Sequence, residues 1–310
     1  MRTNVTFPSA GIDIAGHLYT PDTPDTGPTA VVVVGHPGSG VKEQTSGLYA
    51  RQLAEAGFAA LAFDAAYQGE SGGTPRGTED PAQRVEDFKA AVSYLTTRPD
   101  VDSDRIGVLG VCASGGYAVP AAATDHRIRA VATVSAVDIG LSFRHGPDGS
   151  QPAAVAQSLL DTAAAARTAE AAGEAILMLP LRTTEEEARA GGRYAYEGWE
   201  YYSTGRGHHP RQTDAFTFSS IDRIMAFDAF HVVDLIAPRP LLMVVGDEAA
   251  TAWMSERAIE KAKEPRQLHR IEGAGHADLY DRYVPEVTST ALIPFFTRNL
   301  ASCAAHMPAA

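Results

Sequence analysis

The sequence predicts an α/β protein: a mostly parallel central sheet with helices on both faces and a helical lid insertion. Three observations carry this. Runs such as Thr29-Ala-Val-Val-Val-Val34 lack polar alternation, as strands buried on both faces do. Amphipathic segments alternate with these runs, which implies right-handed crossovers and parallel pairing. The alternation then stops after residue 138 for about ninety residues, far beyond an ordinary connection.

The elements follow in order. Residues 5–19 read as two strands meeting at Ser9-Ala10-Gly11, and residues 22–28 as a proline-rich turn. The valine run comes next, then the loop HPGSGVKEQT and a helix over 45–56 closed by Gly57, whose left-handed freedom suits a helix end. A buried strand over 58–63 precedes a helix over 81–97 that carries Pro81 in its first turn, where its missing N–H costs nothing. Strands are expected over 105–110, 128–135, 240–245 and 267–271. Residues 1–138 and 230–300 form the expected core, and 301–310 a flexible tail. Residues 139–229 form the expected lid over the carboxyl ends of the strands, where open α/β sheets bind ligands. It holds helices over 152–175 and 184–190 and an aromatic cluster at Tyr194, Tyr196, Trp199, Tyr201 and Tyr202.

Composition narrows the function. With 26 basic and 38 acidic residues the net charge is −12, which opposes binding to nucleic acid or an anionic membrane surface. The two cysteines, Cys112 and Cys303, exclude a disulfide framework or a cysteine metal cluster. No apolar run approaches a membrane span, and the opening residues alternate like a strand rather than a signal peptide. A cytoplasmic protein is expected, with no metal and no cofactor.

The chemistry concentrates at Gly110-Val-Cys-Ala-Ser114. A strand turning abruptly into a helix through small residues two positions either side of a nucleophile is a nucleophile elbow. Ser114 is the rival nucleophile, but the apolar residues of the strand end at Gly110 and leave Cys112 at the tip. A helix N-terminus or a nearby imidazolium lowers a thiol's pKa, so a reactive thiolate is expected. A thiol pKa at or above that of free cysteine would instead favour a non-catalytic small-molecule-binding protein. The base is His276, in the glycine-rich turn EGAGHADLY after the last core strand. A carboxylate is wanted to hold its tautomer. Asp247 and Asp138, each following a strand, are equal candidates, with Glu248 behind them. The oxyanion donors are expected at Ala113 and in the loop after the valine strand, where Pro37 lacks an N–H and Gly38 or Ser39 must serve. His36, Ser39, Tyr67, Trp199 and Tyr202 are the candidate substrate contacts. The pair His208-His209 reads as solvated loop.

Four stretches, HPGSGVKEQT, GVCASGGYA, YYSTGRGHHP and EGAGHADLYDR, resemble the α/β-hydrolase superfamily. More narrowly they resemble its dienelactone-hydrolase-like branch with a cysteine nucleophile, together with fungal polyketide transferases and uncharacterised bacterial hydrolases. The resemblance implies Cys112 as nucleophile, His276 as base, and Gly38 and Ala113 as oxyanion donors. It leaves the acid open, because no aspartate stands three residues after Gly246. The expected activity is a cofactor-free hydrolase of an ester, lactone or thioester acting through an acyl-cysteine. Acyl transfer to an alcohol or amine is the alternative. The expected partner is a small acyl substrate, free or carrier-bound, with a homodimer as a further possibility.

Overall fold

Val31 to Val34 have no exposed surface, and they form the middle of β3 (Thr29–Gly35). A β-branched run of this kind is stable only with neighbours on both edges and cover on both faces, and the molecule is assembled to provide them. The computed structural model describes residues 1–22 and 27–301. Before β3 come β1 (Arg2–Ser9) and β2 (Ile12–Tyr19). After it come β4 (Ala59–Phe63), β5 (Val101–Val111), β6 (Ile128–Val134), β7 (Met178–Pro180), β8 (Ala215–Thr217), β9 (Leu241–Gly246) and β10 (Arg266–Ile271).

Eight of these form one sheet in the order β1-β2-β4-β3-β5-β6-β9-β10. The β1–β2 and β2–β4 pairs are antiparallel, and the other pairs are parallel. The chain leaves β3 first toward β4 and then crosses back to β5, so the strand order reverses around β3. A crevice opens at such a switch point, beyond the carboxyl ends of the strands. Register makes those ends level, because Gly35 pairs with Gly110 and Val111 with Val134. The loops after β3, β5 and β6 therefore start at one height.

The expected alternation of strands and helices is present, with two differences. Strand β5 begins at Val101 rather than at 105, because a register shift lets Thr29 pair with Val101 before Val31 pairs with Ile106. Between β6 and β9 the chain carries more structure than two helices. Helices Ile139–His145, Ala153–Ala171, Glu185–Ala190, Arg193–Ser203 and Ile221–Ala226 are joined by the two-stranded β7–β8 ribbon. The expected aromatic cluster lies along Arg193–Ser203. Thr184 starts the helix before it with a capping box to Glu187, which satisfies two otherwise orphaned N–H groups. The expected tail after 301, with Cys303, and part of the proline-rich turn lie outside the described residues. No helix of the described residues is long and apolar enough to cross a membrane.

Candidate active site

Strand β5 ends in a sharp turn at Cys112, which has φ 55° and ψ −122° and stands immediately before the helix Ala113–Thr124. Positive φ is strained for a residue with a Cβ, and the neighbours hold it there. The Cys112 N–H donates to Val134 O at 2.9 Å, and its carbonyl accepts from Gly115 N and Val137 N. A Cβ at Gly110 would overlap the Ser114 carbonyl oxygen, so the strand and helix meet this closely only with glycine there. Ser114, the rival nucleophile, is buried and gives its hydroxyl to His36 O.

The loop after β3 reaches the same point. The N–H groups of Gly38 and Ala113 face the Cys112 sulfur and pull its pKa down. They are the two donors expected for an oxyanion. The loop is held from behind by Lys42, whose N–H donates to Asp64 Oδ1 at 2.7 Å and whose Nζ lies 2.8 Å from Asp64 Oδ2. His17, Glu43 and Glu70 are spaced like metal ligands. The Lys42 ammonium, 3.0 Å from Glu43 and 2.5 Å from Glu70, is already the cation among those carboxylates.

His276 follows β10 and is nearly solvent-free. Its Nδ1 lies 2.6 Å from Thr251 Oγ1 and its Nε2 lies 2.9 Å from Tyr280 Oη. The Tyr280 hydroxyl in turn faces the Cys112 side chain across the cavity that both line and favours its thiolate. No hydrogen bond joins sulfur and imidazole directly among the described residues. Neither ring nitrogen meets a carboxylate, which corrects the expectation of an acid. Asp138 is buried elsewhere, capping the helix Ile139–His145 by accepting from Leu141 N and Ala229 N. Asp247 accepts from Gly273 N at 2.8 Å, so it steadies the start of the histidine turn without touching the ring. Glu248 is paired with Arg193. The residue at the ring is Thr251, just before the helix Ala252–Lys261.

The electrostatics also differ from expectation. Burial pushes the Cys112 thiol up, against the opposing pull of the Tyr280, Ala113 and Gly38 hydrogen bonds. Burial alone brings His276 down to about 3. Desolvation disfavours each charged form; Arg84 offsets it weakly at the thiol, and no countercharge offsets it at the imidazole. The resting pair is a neutral thiol and a neutral imidazole, not the thiolate expected.

These groups open onto a cavity of about 320 Å³, within the range of small-molecule sites. The insertion supplies much of its wall, including Phe143, Leu181, Tyr194, Trp199 and Phe216. Arg182 is its one permanently charged lining residue. Its guanidinium lies 4.3 Å from the Tyr202 ring centroid, and it donates to Ser39 Oγ at 2.9 Å and pairs with Asp214 at 3.0 Å. Of the expected substrate contacts, Ser39, Trp199 and Tyr202 line the cavity, whereas His36 and Tyr67 do not. His36 has no exposed surface, bonds Pro37 O through Nδ1 and accepts from Ala65 N. Tyr67 has φ 68° and packs over Gly73. Both shape loops near the site. Sequence reasoning missed Thr251 and Tyr280. Their only local signal was position, one in the loop after β9 and the other four residues past His276.

A mostly parallel sheet with a nucleophile-type elbow after its central strand and a histidine turn after its last one defines an α/β-hydrolase. Residues 14–176 match the dienelactone hydrolase family, and the chain belongs to it as an ester-acting hydrolase. It is 39% identical over 307 residues to the uncharacterised protein YcjY of Escherichia coli K12, covering 97% of this chain and 100% of that one. The crystal structure of Pseudomonas aeruginosa protein PA2218 superposes with a TM-score of 0.90 at 34% identity, covering 96% of this chain and 94% of that one. More distant fungal relatives are a thiohydrolase of Eupenicillium brefeldianum, 27% identical over 90% of this chain and 88% of that one, and the polyketide transferase af380 of Aspergillus fumigatus, 25% identical over 96% and 99%.

Proposed function

We propose that this hydrolase cleaves an ester, lactone or thioester of a medium-sized apolar acid through an acyl-cysteine on Cys112, with residues 139–229 as its lid. The observation that carries the reading is the convergence on one sulfur. Two backbone N–H groups point at it, and a hydroxyl links it to an imidazole. A donor pair of this kind stabilises charge that develops on a carbonyl oxygen in the transition state. With Nδ1–H directed to Thr251, His276 Nε2 carries the lone pair that faces Tyr280 and can take a proton. A raised thiol pKa, the expected mark of a binding protein, is compatible with catalysis here because ionisation can accompany attack instead of preceding it, as general-base catalysis allows. Sulfur bonds to the acyl carbon, its proton moves toward His276, and the oxyanion accepts from Gly38 and Ala113. Collapse releases the alcohol or thiol with that proton, and water then cleaves the acyl-cysteine to free acid. The apolar wall and the volume of the cavity support a medium-sized acyl chain. The thiohydrolase relative agrees with a thioester among the substrates.

The test is turnover of p-nitrophenyl esters across acyl chain lengths by the wild type and by Cys112→Ala. We expect turnover that peaks at intermediate length and falls at least roughly 10³-fold in the variant. Equal rates in the two proteins would overturn the reading.

One observation favours acyl transfer as a second reading. Thr251 stands where a carboxylate would hold the base, and a neutral hydroxyl stabilises an imidazolium less. Water is then activated poorly, and the acyl-cysteine persists for a better nucleophile, in keeping with the polyketide transferase relative. An adduct that survives in water but discharges onto an added alcohol or amine would establish this route; one that hydrolyses at the same rate with or without acceptor would exclude it.

A further inference from the structure

One hydroxyl at the carboxyl edge touches both reacting partners. Tyr280 ends the short turn Ala277–Tyr280, four residues past His276, and is buried. Its oxygen lies 2.9 Å from His276 Nε2, and the same hydroxyl faces the Cys112 side chain, with all three groups lining one cavity. The ring is fixed by packing, with the Tyr201 ring edge-on at 5.1 Å and the Tyr202 ring at 6.4 Å. The imidazole is fixed as well, by Thr251 at Nδ1 and by the Tyr194 ring edge-on at 5.1 Å. If Nδ1–H points to Thr251, Nε2 has only a lone pair to offer, so Tyr280 must donate to it. The phenol oxygen is then left to accept from the Cys112 S–H.

We propose that Tyr280 is a catalytic proton relay between Cys112 and His276. The inference rests on the acyl-cysteine reading and adds a third group to it. As the S–C bond forms, the S–H proton passes to the Tyr280 oxygen while the proton of Tyr280 passes to His276 Nε2. The carbonyl π pair moves onto the oxygen facing Gly38 and Ala113. Tyr280 ends neutral, and the imidazole ends as imidazolium. Collapse runs the chain backwards: the imidazolium returns its proton to Tyr280, which gives its own to the departing alcohol or thiol. No charge rests on the phenol at either end of the step. That suits a tyrosine whose burial in this pocket disfavours the phenolate.

The test uses the full chain and p-nitrophenyl butanoate, with the acylation burst followed by stopped flow. Tyr280→Phe keeps the packed ring and deletes the relay. We expect its acylation rate constant to fall roughly 100-fold, within the usual range for proton-transfer catalysis, with KM changed by less than about threefold. Its thermal midpoint should match that of the wild type. A variant that acylates within about threefold of the wild type, or faster, would overturn the relay and make the phenol a plug between thiol and base. A second readout needs no variant. In mixtures of light and heavy water the wild-type burst rate should bow downward, as two protons in flight require, and a straight line would overturn the relay. Failure of the underlying reading looks different, because wild type and Cys112→Ala would then release p-nitrophenol at the same rate. If turnover depends on Cys112 and Tyr280→Phe matches the wild type, the relay alone falls.

Discussion

In β3 every residue from Val31 to Val34 is fully buried, whereas the nineteen-residue helix Ala153–Ala171 of the insertion buries only Ala156, Ala163 and Ala166. The sheet is held by apolar packing, whose strength follows the area removed from water. Where the insertion meets the histidine turn it is held by charge. Arg206 lies 2.6 Å from Asp281, Arg282 lies 3.0 Å from Glu200, and Arg193 lies 3.7 Å from Asp278. Two bonds reach the turn's backbone itself, from Arg206 to Ala277 O and from Ala277 N to Glu197. Cys112, the proposed nucleophile, and the Gly38 and Ala113 N–H groups thus rest on the apolar region, and His276, the proposed base, is clamped between the two. Changes to the core should alter stability without altering chemistry, and changes to the clamp should alter substrate binding at a smaller cost in stability.

Leu61→Ala gives the largest expected effect. Leu61 is fully buried in β4, and the cavity left behind should cost about 2–5 kcal/mol in urea unfolding. The kcat of the protein that remains folded should be unchanged. A loss of kcat beyond the unfolded fraction would show that the site is less insulated from the sheet than this comparison holds.

A smaller effect comes from His276, which both regions bury. Its folded pKa of about 3 lies below its ordinary 6.5, so the unfolded chain takes up the proton first as pH falls. The stability is present above pH 6.5 and is lost progressively down to about pH 3. At pH 5 the loss should be ~2 kcal/mol relative to pH 7, from ~1.4 kcal/mol per pH unit. Burial lowers His36 and His17 in the same direction, so the remaining slope belongs to them. Urea midpoints of the wild type and His276→Asn at the two pH values measure the difference. Equal slopes would mean that the imidazole is hydrated and the clamp open.

The smallest effect is expected in the clamp. Arg206→Gln should cost ~1–2 kcal/mol and raise KM while leaving most of the sheet's stability in place. Raising NaCl from low salt to 1 M should move the wild type the same way, since the screening length falls to about 3 Å. A KM indifferent to both changes would mean that packing, not charge, seats the insertion.

How much of this was legible in the sequence follows from how local each signal is. The elbow is visible because Gly110, Cys112 and the small residues after them lie within one turn, and close approach of strand and helix permits little else. The histidine turn is visible for the same reason, through its two flanking glycines. The acid was not, because a carboxylate after a strand serves equally well as a helix cap, which is what Asp138 does, or as a turn brace, which is what Asp247 does. Thr251 and Tyr280 contribute single hydroxyls whose roles exist only once β9, β10 and the insertion have come together, and a lone hydroxyl leaves no pattern. The thiol's raised pKa was hidden for a related reason. The cavity wall facing the thiol includes the insertion's aromatic side chains, far from the elbow in sequence. The β7–β8 ribbon has three residues per strand, too short to show a period.

The central claim is that Cys112 carries the acyl group, and trapping that group tests it most directly. The protein is mixed with p-nitrophenyl butanoate, quenched in acid within the burst, digested and read by peptide mass spectrometry. The account predicts one butanoyl group on the peptide holding Cys112, absent from Cys112→Ala. Ester cleavage that leaves the Cys112 peptide unlabelled, or a label that survives in Cys112→Ala, would contradict it.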